Sequence, residues 1–478
     1  MTTTPTGVSV IPRNGKRALR RAIDSVVNAP EFANGHWGVL VIDTRGDTLY
    51  SHNAGKLFMP ASNQKILTSA VALAQLGPEF RYRTSFVAHG AIEGGILNGD
   101  LGVVGRGDPS ISDHMRGDAM LPLLDIADSL VARGIRRIRG KVLAEGNLFP
   151  DDVLGFGWSW SDLESDYSAA TDELLFNEGF TNIIVSAGAH AGDSVRVDTK
   201  PTKTWPRLRV SAVTVAPVVM PADTTLPRPP RPAITIVKDT LSGDVLVGGS
   251  IVAGRVDTLV VTHRDPDAAY IAAFREALIA KGITIGDEAV PLSASDTVLT
   301  LTSPSLREIL PPFMKPSQNQ IGEMLFKTLG LERGTAGTAF VARGIMEKQL
   351  EAWGAKPSGF VVRDGSGLSR YDYVSPETII HVLDAMRRDT AFNVYYDAMP
   401  IAGVDGTIRS RMRGTPAASN VRAKTGSVAQ ARSLSGYVTA LNGDTLIFSI
   451  LANNWNVPAG RVTAAADSIA ARLASYRR

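Results

Sequence analysis

The chain of 478 residues contains no cysteine. This absence excludes thiol catalysis, disulfides and metal sites with cysteine ligands, and it says nothing about the cellular compartment. No apolar run reaches the roughly 18 to 20 residues that a membrane-spanning helix needs, so no transmembrane segment is predicted. Residues Met1 to Arg13 also lack the basic segment and the apolar segment of a secretory signal peptide. Either the protein is cytoplasmic or an export signal is missing from the given chain.

An excess of charge of one sign is also missing, because 50 basic residues face 47 acidic ones. This balance gives no electrostatic reason to predict binding of nucleic acid or of an anionic membrane. Aromatic residues make up only 6% of the chain and apolar residues 44%, which is an ordinary globular composition. The length predicts about three domains.

Histidine is scarce, and no two histidines have the i, i+4 spacing of a helical zinc site. The histidines are His36, His52, His89, His114, His190, His263 and His381. The sequence therefore predicts no metal and no cofactor, and it disfavours a histidine-based triad. If the chain is a serine enzyme, its base must be another residue.

Ser62 and Lys65 begin an apolar helical pattern just after Pro60. Residues three apart on a helix share a face, so the Lys65 amine can approach the Ser62 hydroxyl. In the first turn of a helix, Ser62 would also face unpaired N–H groups and the positive end of the helix dipole, which favour an anion. The alternative is a capping serine beside a solvated lysine, and the pair alone does not decide between the two.

Two later motifs match this chemistry. Ser317 and Asn319 offer a hydroxyl and a carboxamide near the start of a predicted helix, and Lys424-Thr425-Gly426 ends a predicted strand. Each motif alone fits a structural role, as a helix cap or a charged strand end. In this order, however, the three match the Ser-x-x-Lys, Ser-x-Asn and Lys-Thr-Gly signature of penicillin-recognising serine enzymes. The sequence thus predicts an active site with Ser62 as the nucleophile.

The stretch between Lys65 and Ser317 is too long for a compact β-lactamase core, which indicates a large insertion. This layout resembles the D-alanyl-D-alanine carboxypeptidase/DD-endopeptidase family of the penicillin-binding protein 4 type, in low-molecular-mass class C. Three further segments resemble that family: Gly105 to Pro109, Trp158 to Leu163 with Tyr167, and Asp364 to Arg370. The resemblance implies an α/β fold. We expect a transpeptidase/β-lactamase-like domain, with an antiparallel sheet flanked by helices plus a helical lobe, and two nested, mainly β inserted domains.

The expected boundaries follow the same layout. The transpeptidase-like domain takes 1–80 and 300–478, inserted domain II takes 81–180 and 245–299, and inserted domain III, nested in domain II, takes 181–244. The proline-rich segment Pro217 to Pro232 is interpreted as a loop or edge segment. Two N-terminal strands, Trp37 to Asp43 and Thr48 to His52, need partners, and we predict that strands near the C-terminus supply them.

The resemblance implies catalytic roles for Ser62, Lys65, Ser317, Asn319 and Lys424. Ser62 would attack the carbonyl between two D-alanines, and Lys65 would take its proton. A lysine does this at neutral pH only if burial or nearby positive charge, such as that of Lys424, lowers its pKa. Ser317, hydrogen-bonded between the two lysines, would relay a proton to the leaving amine. Asn319 would hold the substrate amide.

Substrate binding is also implied for the strand motif. Lys424 and Thr425 would bind the terminal carboxylate of the substrate, and Gly426 would let the strand lie close to the substrate backbone. The backbone N–H groups of Ser62 and Ser427 would form the oxyanion hole.

A pocket for a meso-diaminopimelate side chain is implied at Asp162, Tyr167, Leu368 and Arg370. A zwitterionic head group needs one negative and one positive partner, which Asp162 and Arg370 provide. The alternative is a surface ion pair or separate solvated charges. Val428 follows Ser427 where related sequences carry methionine, a departure that bears on the shape of the pocket.

The implied function is that of a serine DD-peptidase, as carboxypeptidase, as endopeptidase on D-Ala-meso-diaminopimelate cross-links, or as both. The expected partners are peptidoglycan stem peptides and, as acylating inhibitors, β-lactam antibiotics. Because peptidoglycan lies outside the cytoplasmic membrane, we expect a periplasmic or otherwise extracytoplasmic location. The alternatives are a serine β-lactamase, a penicillin-binding sensor or scaffold without turnover, and an esterase.

Overall fold

The computed structural model describes residues 15–218, 230–239, 244–291 and 295–477. These residues form two compact units. Unit 1 comprises the described residues of Met1–Arg81, Phe149–Ser159 and Pro304–Arg478, and unit 2 comprises those of Tyr82–Leu148 and Trp160–Ser303. Within the described ranges, every helix is too short or too polar to span a lipid bilayer.

The helices of the described residues follow the apolar periodicity of the sequence. In the first one, for example, Leu19, Ile23 and Val27 recur about one turn apart and are buried. The α-helices are α1 (Gly15–Val27), α2 (Gln64–Leu76), α3 (Asp113–Arg116), α4 (Met120–Ala132), α5 (Pro266–Ala280), α6 (Leu306–Met314), α7 (Asn319–Arg333), α8 (Ala339–Ala352), α9 (Pro376–Arg387), α10 (Phe392–Ala398) and α11 (Ala459–Ala474).

The strands are shorter and less regular in sequence. They are β1 (His36–Asp43), β2 (Thr48–His52), β3 (Arg83–His89), β4 (Ile92–Glu93), β5 (Ile96–Leu97), β6 (Asp100–Val104), β7 (Arg137–Ile138), β8 (Val142–Glu145), β9 (Phe180–Ser186), β10 (Arg196–Lys200), β11 (Leu208–Val210), β12 (Val213–Val215), β13 (Ile234–Lys238), β14 (Val245–Val252), β15 (Val256–Thr262), β16 (Thr284–Ile285), β17 (Ser295–Thr302), β18 (Phe360–Val361), β19 (Tyr373–Val374), β20 (Arg422–Val428), β21 (Ala431–Thr439) and β22 (Thr445–Asn453).

Unit 1 is built on an antiparallel sheet with the strand order β2-β1-β22-β21-β20. β1 pairs with β22 from His36 opposite Asn453 to Asp43 opposite Leu446. The prediction that strands from the two ends of the chain share one sheet is confirmed. β20, the strand that carries the Lys-Thr-Gly motif, forms one edge of this sheet; its outer side makes the isolated bridge between Arg422 and Ile401 and pairs with no further strand of the described residues.

Helices cover this sheet. α11 contacts β21, β22 and α1, whereas α9 contacts β22 and β1. Strand β22 is buried along almost its whole length, as expected for a strand with apolar neighbours on both faces. The helical lobe adds α2, which contacts α7, α8 and α9. This packing makes α2, the helix that follows Ser62, a central element of unit 1.

Unit 2 contains several small sheets and two hydrophobic cores. The larger core includes residues of α4 and α5, such as Leu123 and Phe274. The smaller core includes Ile183, Val185 and Val247. The subdivision of the insertion into domains II and III, with the boundaries given above, stays a prediction. Part of the segment from Pro217 to Pro232 lies outside the described residues.

Three predicted strands of unit 2 are wrong in extent, and one of them, Leu208 to Val215, is split into β11 and β12. The sequence predicts single strands over Gly95 to Val104 and Ile138 to Ala144, but each is split in two, β5 with β6 and β7 with β8. The breaks occur at Gly99 and Gly140, where the Gly140 N–H donates to the Gly99 carbonyl at 3.0 Å. A Cβ on Gly140 would lie 2.1 Å from Asp100 Oδ1. Close backbone approach, which apolar alternation does not reveal, interrupts both strands.

Gly38 in β1 provides a test of the packing of unit 1. A Cβ there would lie 2.4 Å from the ring of the buried Phe58, so Gly38→Ala should destabilise the protein by about 1–3 kcal/mol. Gly344 in α8 has no heavy atom within 4 Å of an added Cβ, and Gly344→Ala should stabilise by up to about 1 kcal/mol. Calorimetric melting of both variants measures the effects. Equal melting temperatures would contradict the described packing.

Candidate active site

Ser62 lies in the 3-10 turn Ala61–Asn63, immediately before α2. The sequence placed it in the first turn of the helix, so the element differs although the position at the helix N-terminus agrees. Ala61 has a φ of 48°, a left-handed conformation that few non-glycine residues adopt. α2 is buried from Gln64 to Leu73. The half-buried Ser62 therefore stands at the end of a rigid element.

Lys65 is fully buried, with 0% exposure. Its Nζ lies 2.8 Å from Ser62 Oγ, 2.6 Å from Asn319 Oδ1 and 2.7 Å from the Ser366 carbonyl oxygen. A neutral amine donates two hydrogens and accepts one. Asn319 and Ser366 take the two donated hydrogens, which leaves the nitrogen lone pair for the Ser62 hydroxyl. This geometry suits a base that removes the Ser62 proton.

Burial lowers the pKa of Lys65 from its usual value to about 7, while the negative charges of Asp364, Glu323 and Asp372 act in the opposite direction. The sequence offered burial or the charge of Lys424 as the cause, and burial is the one observed. The mutual repulsion of the two lysines lowers the pKa of Lys424 instead. Burial first, and then the positive charge of Lys65, hold the pKa of Lys424 well below its usual range.

Ser317 precedes α7 and has a φ of 72°. Its Oγ accepts a hydrogen bond from Lys424 Nζ at 2.7 Å, and the same amine donates to the Thr425 carbonyl at 2.9 Å. The expectation that Ser317 is hydrogen-bonded between the two lysines is therefore wrong. Lys65 is hydrogen-bonded to Ser62, Asn319 and Ser366 instead. The structure groups Ser317 with Lys424 and groups Asn319 with Lys65.

The Lys-Thr-Gly motif lies inside β20 and not at the end of a strand, as the sequence had suggested. The outer side of an edge strand can bind another extended segment, so the motif need not lie at the end of the strand. A Cβ on Gly426 would lie 2.1 Å from Ser433 Oγ, 2.5 Å from the Pro60 carbonyl and 3.0 Å from the Ser62 nitrogen. Glycine is required here because β20 runs directly against the turn that carries Ser62.

Two hydrogen bonds that the sequence did not reveal hold this turn to the sheet. Asn63 Nδ2 donates to the Lys424 carbonyl at 2.8 Å, and Ser433 Oγ donates to the Pro60 carbonyl at 2.8 Å. Both partners lie far apart in the chain, so no local pattern points to them. These bonds fix the distance between the nucleophile and β20.

Thr407 is another residue that sequence reasoning missed. It lies in the 3-10 turn Gly406–Ile408, and its Oγ1 accepts a hydrogen bond from Thr425 Oγ1 at 2.7 Å. This contact orients the Thr425 hydroxyl beside the predicted carboxylate-binding position.

The loop from Asp364 to Asp372 lies against the turn that carries Ser62. Gly367 has a φ of 82°, and a Cβ there would lie 1.9 Å from the Ala61 carbonyl. The loop carries two predicted pocket residues, the buried Leu368 and the half-buried Arg370. Its backbone therefore contributes to the wall of the site in unit 1.

The other two predicted pocket residues, Asp162 and Tyr167, belong to unit 2. The Tyr167 hydroxyl donates to Asp162 Oδ1 at 3.1 Å, and the Tyr167 side chain is 44% exposed. The structure thus brings these two residues together as a pair. Their joint role with Leu368 and Arg370 stays a prediction.

The sequence is similar to known proteins over almost its whole length. The sequence model of the D-Ala-D-Ala carboxypeptidase 3 (S13) family matches residues 19–475. D-alanyl-D-alanine carboxypeptidase of Actinomadura sp. (strain R39) is 34% identical, over 96% of this chain and 85% of that protein. D-alanyl-D-alanine carboxypeptidase DacB of Haemophilus influenzae is 26% identical, over 85% of this chain and 82% of that protein.

The fold has a solved counterpart. The crystal structure of penicillin-binding protein 4 (dacB) from Haemophilus influenzae superimposes with a TM-score of 0.78 at 23% identity, over 95% of this chain and 99% of that one. The predicted fold class, a transpeptidase/β-lactamase-like domain with inserted domains, is thereby confirmed. Because the family model spans most of the sequence and one relative exceeds 30% identity across it, this chain belongs to the D-Ala-D-Ala carboxypeptidase 3 (S13) family.

Proposed function

We propose that the protein is a serine-type D-Ala-D-Ala carboxypeptidase that uses Ser62 as its nucleophile and acts on peptidoglycan stem peptides. The observation that carries the proposal is the 2.8 Å contact between Ser62 Oγ and the buried amine of Lys65. Membership of the S13 family supports the reaction class. A lysine with a pKa near 7 is a competent base at neutral pH.

In acylation, Ser62 Oγ attacks the carbonyl carbon of the penultimate D-alanine while its proton moves to Lys65 Nζ. The developing oxyanion needs two N–H donors, and the backbone groups of Ser62 and Ser427 supply them. A Cβ on Gly426 would lie 3.0 Å from the Ser62 nitrogen, so β20 is close to this N–H group, which supports the assignment. The extended substrate backbone then adds to the free edge of β20.

The leaving group departs on the other side of the site. Ser317, hydrogen-bonded to Lys424, relays to the nitrogen of the departing D-alanine the proton that Lys65 took from Ser62. The C–N bond therefore breaks with a neutral amine, and Lys65 is neutral again. The Thr425 hydroxyl and the Lys424 side chain bind the terminal carboxylate. Asn319 holds Lys65 through its Oδ1, and its side chain contributes to the orientation of the substrate amide. Water then hydrolyses the acyl-enzyme.

The same chemistry extends to D-Ala-meso-diaminopimelate cross-links, since the attacked carbonyl is again that of D-alanine and only the leaving amine differs. Asp162 and Tyr167 on unit 2, with Leu368 and Arg370 on unit 1, are assigned to recognition of the diaminopimelate side chain. β-Lactams acylate Ser62 because they present a strained amide to the same nucleophile. The substrate places the protein outside the cytoplasmic membrane.

Replacing the nucleophile tests the proposal directly. Ser62→Ala should lose covalent labelling by fluorescent penicillin and release of D-alanine from a diaminopimelate-containing pentapeptide. Ser25→Ala, which changes an exposed serine of α1, should retain both. Labelling of the wild type without D-alanine release would show a penicillin-binding sensor, and rapid loss of the label would show a β-lactamase. Labelling of Ser62→Ala would refute the proposed site.

The pH dependence of acylation reports the state of Lys65. Protonated Lys65 cannot accept the Ser62 proton, so the second-order acylation rate constant should fall about tenfold per pH unit below a pKa of about 7. It should level off above that pH. Acylation by a chromogenic β-lactam, followed between pH 5 and 9, measures this decrease at low pH, which we call the acid limb. Lys65→Met should lower the rate constant by about 10²–10⁴-fold. A flat profile would contradict the role of Lys65.

The side-chain pocket has a separate test. Asp162→Ala should reduce kcat/KM on diaminopimelate-containing peptides far more than on simple acyl-D-Ala-D-Ala substrates, because only the former carry the zwitterionic head group. Asp125→Ala, an exposed aspartate of α4 in the same unit, serves as the control. An equal loss on both kinds of substrate would reject the pocket and leave the peptidase assignment in place.

A further inference from the structure

Three carboxyl groups near Lys65 take no part in the reaction described above. Glu323 lies on α7, and Asp364 and Asp372 lie at the two ends of one loop. They are 5%, 1% and 0% exposed. Carboxyl groups are rarely buried without partners, because removal of a charge from water is costly. Three of them beside the catalytic base therefore require a physical reason.

One peptide group connects Lys65 to Asp364. The Ser366 carbonyl oxygen accepts a hydrogen bond from Lys65 Nζ at 2.7 Å. The N–H group of the same peptide, which belongs to Gly367, donates to Asp364 Oδ1 at 2.7 Å. Hydrogen bonds in series polarise one another, and the effect is strong where water is excluded. The Asp364 carboxylate thus makes the Ser366 carbonyl a better acceptor for the Lys65 amine.

Asp364 is held rigidly in this position. Its Oδ2 accepts hydrogen bonds from the Ser369 backbone N–H at 2.7 Å and from Trp158 Nε1 at 3.0 Å. With the Gly367 N–H, three donors converge on this carboxylate. These hydrogen bonds fix the carboxylate against the Gly367 N–H.

The other two acids hold the loop. Glu323 accepts from the Ser366 N–H at 2.9 Å and Asp372 from the Arg363 N–H at 2.6 Å. Burial, reinforced by the charge of Asp364, raises the pKa of Glu323 to about 8 and the pKa of Asp372 well above its usual range. These shifts favour the protonated forms of Glu323 and Asp372. Asp364 is the one of the three that accepts from the Gly367 N–H.

The remaining charged neighbours are accounted for. Lys424 on β20 is the cation coupled to Lys65. Lys327, one turn after Glu323 on α7, is paired with Asp151 at 2.7 Å. Among the described residues, the groups whose charges act on Lys65 are then the three carboxyls.

We propose that Asp364 is a positioning residue for the base: through the Ser366–Gly367 peptide, its carboxylate stabilises the ammonium that Lys65 becomes when it takes the proton from Ser62 Oγ. The proton moves only from Ser62 to Lys65, and Asp364 exchanges no proton. This inference rests on the proposed function of Ser62 and Lys65. It extends that pair to a series of hydrogen bonds from Ser62 through Lys65 and the Ser366–Gly367 peptide to Asp364.

Substitution of Asp364 tests this series of hydrogen bonds. Asp364→Asn removes the negative charge, so the neutral form of Lys65 is favoured and the ammonium formed in acylation is less stable. The acid limb of the acylation rate constant for a chromogenic β-lactam should move to lower pH by about half a unit or more. The plateau rate constant should fall on the order of tenfold, since a weaker base removes the Ser62 proton more slowly.

Asp372→Asn is the matched control on the same loop. Burial raises the pKa of Asp372 and so favours its protonated form, whose shape asparagine reproduces, and the limb should therefore move less than in Asp364→Asn. Trp158→Phe provides a second variant if Asp364→Asn does not fold. It removes one of the three hydrogen bonds that position the Asp364 carboxylate, so the effect of Asp364 on Lys65 weakens and the limb should move to lower pH, by less than in Asp364→Asn.

Melting temperatures separate a structural role from the proposed one. A lower melting temperature of Asp364→Asn with an unchanged limb would overturn the inference, as would equal limb shifts in Asp364→Asn and Asp372→Asn. An unchanged limb in Trp158→Phe would also count against it. If the wild type itself is not acylated at Ser62, the proposed function fails; if it is acylated with the wild-type limb in every variant, only this inference fails.

Discussion

The burial of one amine is the constraint on which the active site depends. Lys65 would be an ordinary cation in water, and only its removal from solvent brings its pKa near 7. An amine buried in this way needs hydrogen-bond partners, and three separate segments supply them: the turn before α2, the start of α7 and the loop after Asp364. Displacement of any one segment would admit water and restore the charge. The basicity of Lys65 in catalysis therefore depends on the packing of these three segments.

A second constraint is the distance between the nucleophile and the edge strand. Gly426 leaves no room for a side chain between β20 and the Ser62 turn, and the hydrogen bonds of Asn63 and Ser433 hold the two together. β20 can stand at the edge because β1 and β2, from the other end of the chain, complete the sheet on the far side. The long insertion thus separates the site in sequence without separating it in space.

The sequence predicted those elements in which apolar periodicity is strong. The first strand was predicted over Trp37 to Asp43 and spans His36–Asp43, and β2 was predicted without error. Several of the failures involve glycine. β14 contains Gly248 and Gly249 and was missed, and glycines at Gly99 and Gly140 split two predicted strands. Glycine contributes no side chain to the apolar alternation, so the sequence does not show whether a glycine continues or interrupts a strand. That depends on which part of the backbone lies close to it.

The sequence alone determined the pairing of Ser62 with Lys65, because residues three apart at a helix start meet without help from the rest of the fold. Motif order then added Ser317, Asn319 and Lys424 through resemblance. Only the tertiary structure decided how the two lysines divide their hydrogen bonds, and only it revealed Asp364 at the far side of the Ser366–Gly367 peptide. Such contacts join residues some 300 positions apart. They depend on backbone geometry and on the exclusion of water, neither of which leaves a local pattern in the sequence.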